Sequence, residues 1–170
     1  SDRYQRLTAS PVVAGGVLFA MDSNGKITAL DADNGSRLGV SETEPEQEET
    51  PTAGGGLVVM GKQLLAVSPY AELLRLDPNN GQILWRKPLP ALARAAPTAA
   101  KGTVYVVTLD NTVLAYNADN GEELWRYQGF AEEGASLGGA SPAVSGDLLV
   151  AALSSGEVLG LHAGTGRLIC

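Results

Sequence analysis

The chain has one cysteine and one histidine in 170 residues. A single thiol, Cys170, cannot form an intramolecular disulfide. Neither a cysteine-based zinc site nor a histidine cluster can be assembled. His162 alone is a poor start for a His-dependent triad. Aromatic residues are scarce, at 5%, and no apolar run is long enough to span a membrane as a helix. Positive charge is outweighed: 12 Lys and Arg against 19 Asp and Glu give a formal net charge of −7. That balance argues against nucleic acid and anionic membrane as partners. Sustained helical periodicity is also missing. Residues 91–100 are Ala-rich, but Pro90 and Pro97 bracket them too tightly for a stable helix. The chain opens Ser1-Asp2-Arg3-Tyr4, with no initiator Met, signal peptide or lipid-attachment cysteine, so it is expected to be a processed form or an internal piece.

Glycine, by contrast, is abundant at 21 residues. With few aromatics, this favours many short strands joined by tight turns. One phrase recurs. Residues 117–125 read Asn-Ala-Asp-Asn-Gly-Glu-Glu-Leu-Trp. Residues 77–85 repeat it with Trp85 at the end, residues 31–39 repeat it with Gly39 in place of the Trp, and residues 162–170 form a weaker copy ending in Cys170. The turn glycines are Gly35, Gly81, Gly121 and Gly166, spaced 46, 40 and 45 residues apart. In units one, three and four a Pro (Pro11, Pro97, Pro142) precedes the turn glycine by 24 positions, and Leu57 takes that place in unit two. A fixed unit with variable joints is the mark of stacked supersecondary modules.

Each unit reads as four short strands. In unit three these are residues 96–99, 103–108, 112–116 and 122–127, with Lys101-Gly102 and Asp110-Asn111 as turns. A twisted four-stranded sheet has two apolar faces and must stack against neighbours to bury them. Units of about 40 residues therefore suggest an all-β fold of β-propeller blades, each of four antiparallel strands; a solenoid is the main alternative, but its repeats usually have shorter periods or helices. The expected division is residues 1–9 as the end of a preceding blade or a linker, 10–40 as blade 1, 56–86 as blade 2, 96–128 as blade 3 and 141–170 as blade 4, its last strand truncated. Between them lie an acidic joint at 41–55 and joints at 87–95 and 129–140.

The phrase Leu-Asp/Asn-x-x-x-Gly-x-x-Leu-Trp, preceded by Ser/Ala-Pro-x-x-x-x-Gly-x-Val-x-Val, resembles the pyrroloquinoline-quinone-like repeat. That resemblance covers residues 10–170 and implies an eight-bladed propeller, of which four blades are present here. It also implies that Trp85 and Trp125 dock between neighbouring blades, in pockets shaped by the turn glycines. Residues 7–13, 95–98 and 137–144 are further similar to the propeller lipoproteins of the outer-membrane β-barrel assembly machinery, most of all those of alphaproteobacteria. The chain departs from the pattern at Gly39 and Cys170, where the first and last blades are expected to lose an anchor.

The resemblance implies a non-enzymatic periplasmic scaffold without a cofactor or metal, attached to the outer membrane in the full-length lipoprotein. Its partners would be the periplasmic domains of the membrane-embedded barrel subunit, with unfolded outer-membrane proteins as a second class. The contact residues carried over are Leu92 and Arg94 in the second joint and Glu132 and Glu133 in the third, although the acidic pair is not at the family's distance from the following Pro. The bland reading makes Leu92 cover for a blade edge and Arg94 a solvated charge. Half a ring leaves two apolar faces uncovered, so a homodimer completing eight blades is expected. The alternatives are a quinoprotein dehydrogenase and a sensor or adhesion module. The enzyme needs a stacking platform, a Ca²⁺ site and a catalytic Asp; many such enzymes also carry a disulfide of adjacent cysteines, impossible here. Asp31 and Asp77 are turn residues of the repeat. The acidic run 42–49 has Pro45 and no Gly, which suits a solvated loop better than a cation site. His162 reads as a structural accident in the weakest turn.

Overall fold

The computed structural model describes residues 9–45, 54–93, 95–130 and 139–170. The described residues form fifteen strands in four antiparallel sheets, each a meander in chain order. Blade 1 holds β1 (Val12–Ala14), β2 (Val17–Met21), β3 (Lys26–Asp31) and β4 (Arg37–Glu42). Blade 2 holds β5 (Gly56–Met60), β6 (Gln63–Val67), β7 (Glu72–Leu76) and β8 (Ile83–Pro88). Blade 3 holds β9 (Thr98–Ala100), β10 (Thr103–Val107), β11 (Thr112–Asn117) and β12 (Glu123–Gln128). Blade 4 holds β13 (Ala143–Ser145), β14 (Leu148–Ala152) and β15 (Val158–His162). Its fourth position, where a truncated strand is expected, is marked only by a bridge between Leu161 and Leu168. The first strand of blade 3 begins two residues later than the sequence suggests, after Pro97, which has no N–H to give a ladder.

Strand alternation sorts side chains into three cores. Leu64 and Ala66 of β6 join Phe19, Met21 and Ile27 of blade 1. Their neighbours Leu65 and Val67 point the other way and join Val104, Val106 and Leu114 of blade 3. The next residues of β10, Tyr105 and Val107, join Leu149, Ala151 and Leu161 of blade 4. Successive side chains of a strand point to opposite faces, so the two middle blades are apolar on both. That is why their strands read as continuous hydrophobic runs rather than as alternation. The outward sides of the end blades expose Val13 and Val40 on blade 1 and Leu148, Val158, Leu168 and Ile169 on blade 4.

A meander fixes the two ends of each blade. The joints and the β2–β3 type hairpins share one end; the β3–β4 type turns with their glycines share the other. At the joint end, the hairpin residue after the turn sits in the left-handed region in blades 1 to 3: Gly25 (φ 79°), Ala71 (φ 57°) and Asn111 (φ 62°). Asn tolerates this conformation and here is also tied down, since its side-chain carbonyl accepts from Ser154 N (2.9 Å) and Ser154 Oγ (2.6 Å) in the next blade. Alanine has no such compensation. Ala71→Gly is therefore expected to raise stability by about 1 kcal/mol, the strain relief being offset in part by unfolded-chain entropy; equilibrium urea unfolding measures it.

Candidate functional site

The repeated turn is built the same way four times. Gly35, Gly81, Gly121 and Gly166 donate their N–H to the carbonyls of Asp31, Asp77, Asn117 and His162, at 2.7–2.8 Å. The side-chain oxygen at the first position accepts from the backbone two residues on: Asp33 N to Asp31 Oδ1 (2.9 Å), Asn79 N to Asp77 Oδ1 (2.8 Å) and Asp119 N to Asn117 Oδ1 (2.8 Å). In the fourth copy Gly164 N donates to His162 Nδ1 at 3.2 Å. His162 is thus no accident: its ring nitrogen stands in for the Asx oxygen.

Beyond each of the first three turns the pairing of the third and fourth strands shifts, between Ala29 and Leu30, Arg75 and Leu76, and Ala115 and Tyr116. Leu38, Leu84 and Leu124 are the unpaired residues, and they are exposed. Such a bulge re-aims the side chain that follows it. In blades 2 and 3 that side chain is the tryptophan, which reaches the turn of the next blade. Trp85 Nε1 donates to Asp119 O at 3.0 Å, and Trp125 Nε1 donates to Ala163 O at 2.9 Å. A Cβ on Gly121 would lie 2.9 Å from Trp85 Cη2, and one on Gly166 2.7 Å from Trp125 Cδ2. Tyr105 supports Trp125 from below, with ring centroids 6.0 Å apart, and its hydroxyl donates to the same Ala163 carbonyl at 3.3 Å. Around Trp85, Arg75 Nη1 donates to Ala118 O at 2.6 Å and Gln63 Nε2 donates to Asp119 Oδ1. The sequence marks the tryptophans and glycines, but not the bulges or these added donors.

Gly39 corrects an expectation. Its blade has no Trp, yet blade 1 is not left without an anchor. The backbone of Asn80 packs directly on Gly39, Ser41 Oγ donates to Gly81 O at 2.8 Å, and Phe19 Cε1 lies 3.4 Å from where a Gly81 Cβ would be. The turn of blade 2 has moved into the space a tryptophan would fill.

The joints give the surface its chemistry. The second joint is anchored: Leu89 and Ala93 are buried in the core between blades 2 and 3, Ala93 bridges to Thr108, and Leu109 N donates to Leu92 O at 2.8 Å. Leu92 itself is half-buried. Arg94, Glu132 and Glu133 lie outside the described residues, as does the second half of the acidic run; of its start, Glu42 makes a 3.8 Å ion pair with Lys26.

A groove lies where each of the first two joints crosses to the next blade. Between blades 1 and 2 it is lined by Glu44, Pro45, Glu72 and Arg86. Arg86 closes it, donating to Thr43 O (2.9 Å), Glu42 O (3.3 Å) and Glu72 Oε2 (2.8 Å). The equivalent groove between blades 2 and 3 has a volume of about 340 Å³ and is lined by Lys87, Pro88, Leu89, Pro90, Tyr116, Gly121, Glu123 and Arg126. There Arg126 turns to its own strand and makes a bidentate pair with Glu123, 2.6 Å at both contacts. Hydrogen bonding to Arg126 holds the Glu123 carboxyl below the usual carboxylate range. Burial, with the nearby Glu123 charge adding to it, pushes the Tyr116 phenol up to about 12. Among the described residues no group of three or more His, Cys, Asp or Glu is placed to hold a metal ion.

The fold is shared widely. The chain superposes on a crystal structure of BamB from Moraxella catarrhalis with a TM-score of 0.78 at 22% identity, covering 98% of this chain and 53% of that one. It superposes almost as well, at TM-score 0.74 and 16% identity, on 34% of the quinohemoprotein alcohol dehydrogenase from Comamonas testosteroni, with 98% of this chain covered. Such likenesses establish a propeller architecture and do not separate a scaffold from an enzyme. Sequence does. An outer membrane protein assembly factor BamB from Nitrosomonas eutropha is 30% identical over 118 residues, 69% of this chain and 27% of that protein. The chain thus spans well under half the length of that curated relative. Residues 25–170 match the sequence family described as outer membrane protein assembly factor BamB, and this chain belongs to that family.

Proposed function

We propose that the chain is the working part of a non-enzymatic scaffold in the periplasm, which supports assembly and insertion of outer-membrane β-barrel proteins. The match of residues 25–170 to the assembly-factor family carries this reading. In the full-length lipoprotein this propeller is held at the outer membrane. It binds the periplasmic domains of the membrane-embedded barrel subunit through the joint end of the blades, with Leu92 and Arg94 from the second joint and Glu132 and Glu133 from the third; unfolded outer-membrane proteins are a second class of partner. A rigid stack presenting loops at one end suits recognition rather than chemistry. Leu92 supports the placement, being held by its backbone while its side chain stays half-exposed. Charge reversal by Arg94→Glu is expected to weaken binding to the barrel subunit's periplasmic domains at least about tenfold, as loss of a charged contact at an interface does. Unchanged affinity by calorimetry would remove Arg94 from the interface.

As this 170-residue chain, two copies are proposed to associate through the uncovered faces of blades 1 and 4. Val13 and Val40 on one side, and Leu148 and Val158 on the other, supply apolar surface that a partner would bury. Sedimentation equilibrium is expected to give a dimer; a monodisperse monomer at micromolar concentration overturns it.

A further inference from the structure

Tyr116 and Glu123 line the groove between blades 2 and 3, whereas their counterparts in blade 2 do not line the groove between blades 1 and 2. Alignment on the turn glycines places Tyr116 where blade 2 has Leu76, and Glu123 where blade 2 has Ile83. Two apolar positions have become polar on one side of a single groove. Arg126 occupies the position of Arg86, yet it makes no tie to the preceding joint. Its Nε and one terminal nitrogen are committed to Glu123, which leaves Nη1 uncommitted. Tyr116 is 3% exposed and lines the groove, and its hydroxyl has no hydrogen-bond partner among the described residues. The hydroxyl is left to solvent in the groove, where a ligand acceptor can take its proton in a hydrogen bond.

Charge narrows the ligand. Lys87 and Arg126 against Glu123 make the lining net positive by one, in a chain whose net charge is −7. Pro88, Leu89 and Pro90 supply an apolar wall beside the cations. A phenol pushed up to about 12 stays protonated at any physiological pH, so it can donate. Three donors of this kind converging next to apolar surface match one carboxylate flanked by an apolar side chain.

We propose that this groove is a recognition site for an extended acidic peptide segment, with Tyr116, Arg126 and Lys87 taking a Glu or Asp side-chain carboxylate and the Pro88–Pro90 wall taking the apolar residue beside it. This deepens the scaffold reading, because the groove lies at the root of the second joint, and it adds a linear-peptide mode to it. It also explains the asymmetry between the two grooves. Blade 1's joint supplies the acceptors that satisfy Arg86; blade 2's joint leaves that work to an outside group.

The probe is the peptide acetyl-Ala-Leu-Glu-Leu-Ala-amide, titrated into the full chain by calorimetry, beside its Gln counterpart and the free acid acetyl-Ala-Leu-Ala. The Glu peptide is expected to bind at least about tenfold more tightly than the Gln peptide, the effect of one charge-assisted contact. Tyr116→Phe is expected to weaken the Glu peptide by about fivefold to tenfold with an unchanged melting temperature, since no hydrogen bond within the chain is lost. Arg126→Gln is expected to abolish the preference for Glu over Gln. Equal binding of the Glu and Gln peptides overturns the proposal, as does wild-type affinity in Tyr116→Phe, binding of the free acid alone, or no binding at millimolar peptide. Affinity for the barrel subunit's periplasmic domains, measured on the same samples, separates the two readings. Loss of the peptide result with that affinity intact removes only the groove; the reverse removes only the scaffold.

Discussion

Trp125→Ala is expected to lower the unfolding free energy by about 3 kcal/mol, the lower end for a large aromatic whose ring is only partly buried. For a chain of this size that is a fall in melting temperature of about 6–12 °C. Three losses add up. The Ala163 carbonyl loses the indole donor at 2.9 Å, Tyr105 loses the ring it leans on, and a void opens over Gly166. Gly166→Ala attacks the same contact from the other blade. Its Cβ would fall 2.7 Å from Trp125 Cδ2, at a φ of +71° that disfavours any side chain. If the two groups act as one latch, the double variant costs much less than the sum of the singles. Denaturant unfolding followed by far-ultraviolet circular dichroism measures all three. A strictly additive double variant would show that Trp125 and Gly166 act separately.

Restoring the repeat's missing tryptophan is expected to do harm. Gly39→Trp should destabilise the chain by about 3 kcal/mol or more, although it makes blade 1 look like blades 2 and 3. The backbone at Gly39 is not in the left-handed region, so the cost is one of space. Any Cβ there runs into the Asn80 carbonyl, and it lies only 3.2 Å from the Asn80 carbonyl carbon. To admit an indole the turn of residues 77–81 must retreat, which breaks the Ser41–Gly81 bond and uncovers Phe19. Gly39→Ala should show part of the same loss. A rise in melting temperature for Gly39→Trp would mean that the turn retreats freely and that the space is merely vacant.

These two cases show what the sequence made legible. Trp85, Trp125 and the four turn glycines stand at fixed offsets, so their shared task could be read from spacing alone. Gly39 stands at the same offset, but what fills its place comes from Asn80 and Phe19, on another blade and another strand. The exposed Leu38, Leu84 and Leu124 looked like part of an apolar strand; only the register shows that they are bulge residues. The groove was hidden for the same reason. Its lining joins residues 87–90 to residues 116–126, and neither segment has any pattern that announces the other. His162 was misread because a ring nitrogen is not an obvious substitute for a carboxamide oxygen until the turn geometry is known. Arg94, Glu132 and Glu133 rest on resemblance still.

The latch has a consequence in time as well as in space. Each tryptophan closes on a carbonyl that comes later in the chain: Trp85 on Asp119, 34 residues on, and Trp125 on Ala163, 38 residues on. A chain delivered N-terminus first presents Trp85 before its acceptor at Asp119 arrives. During that interval the blade has its strands but one apolar face is wet. The repeat is therefore complete in sequence before it is complete in structure, and the growing chain always carries one unfinished face at its leading edge.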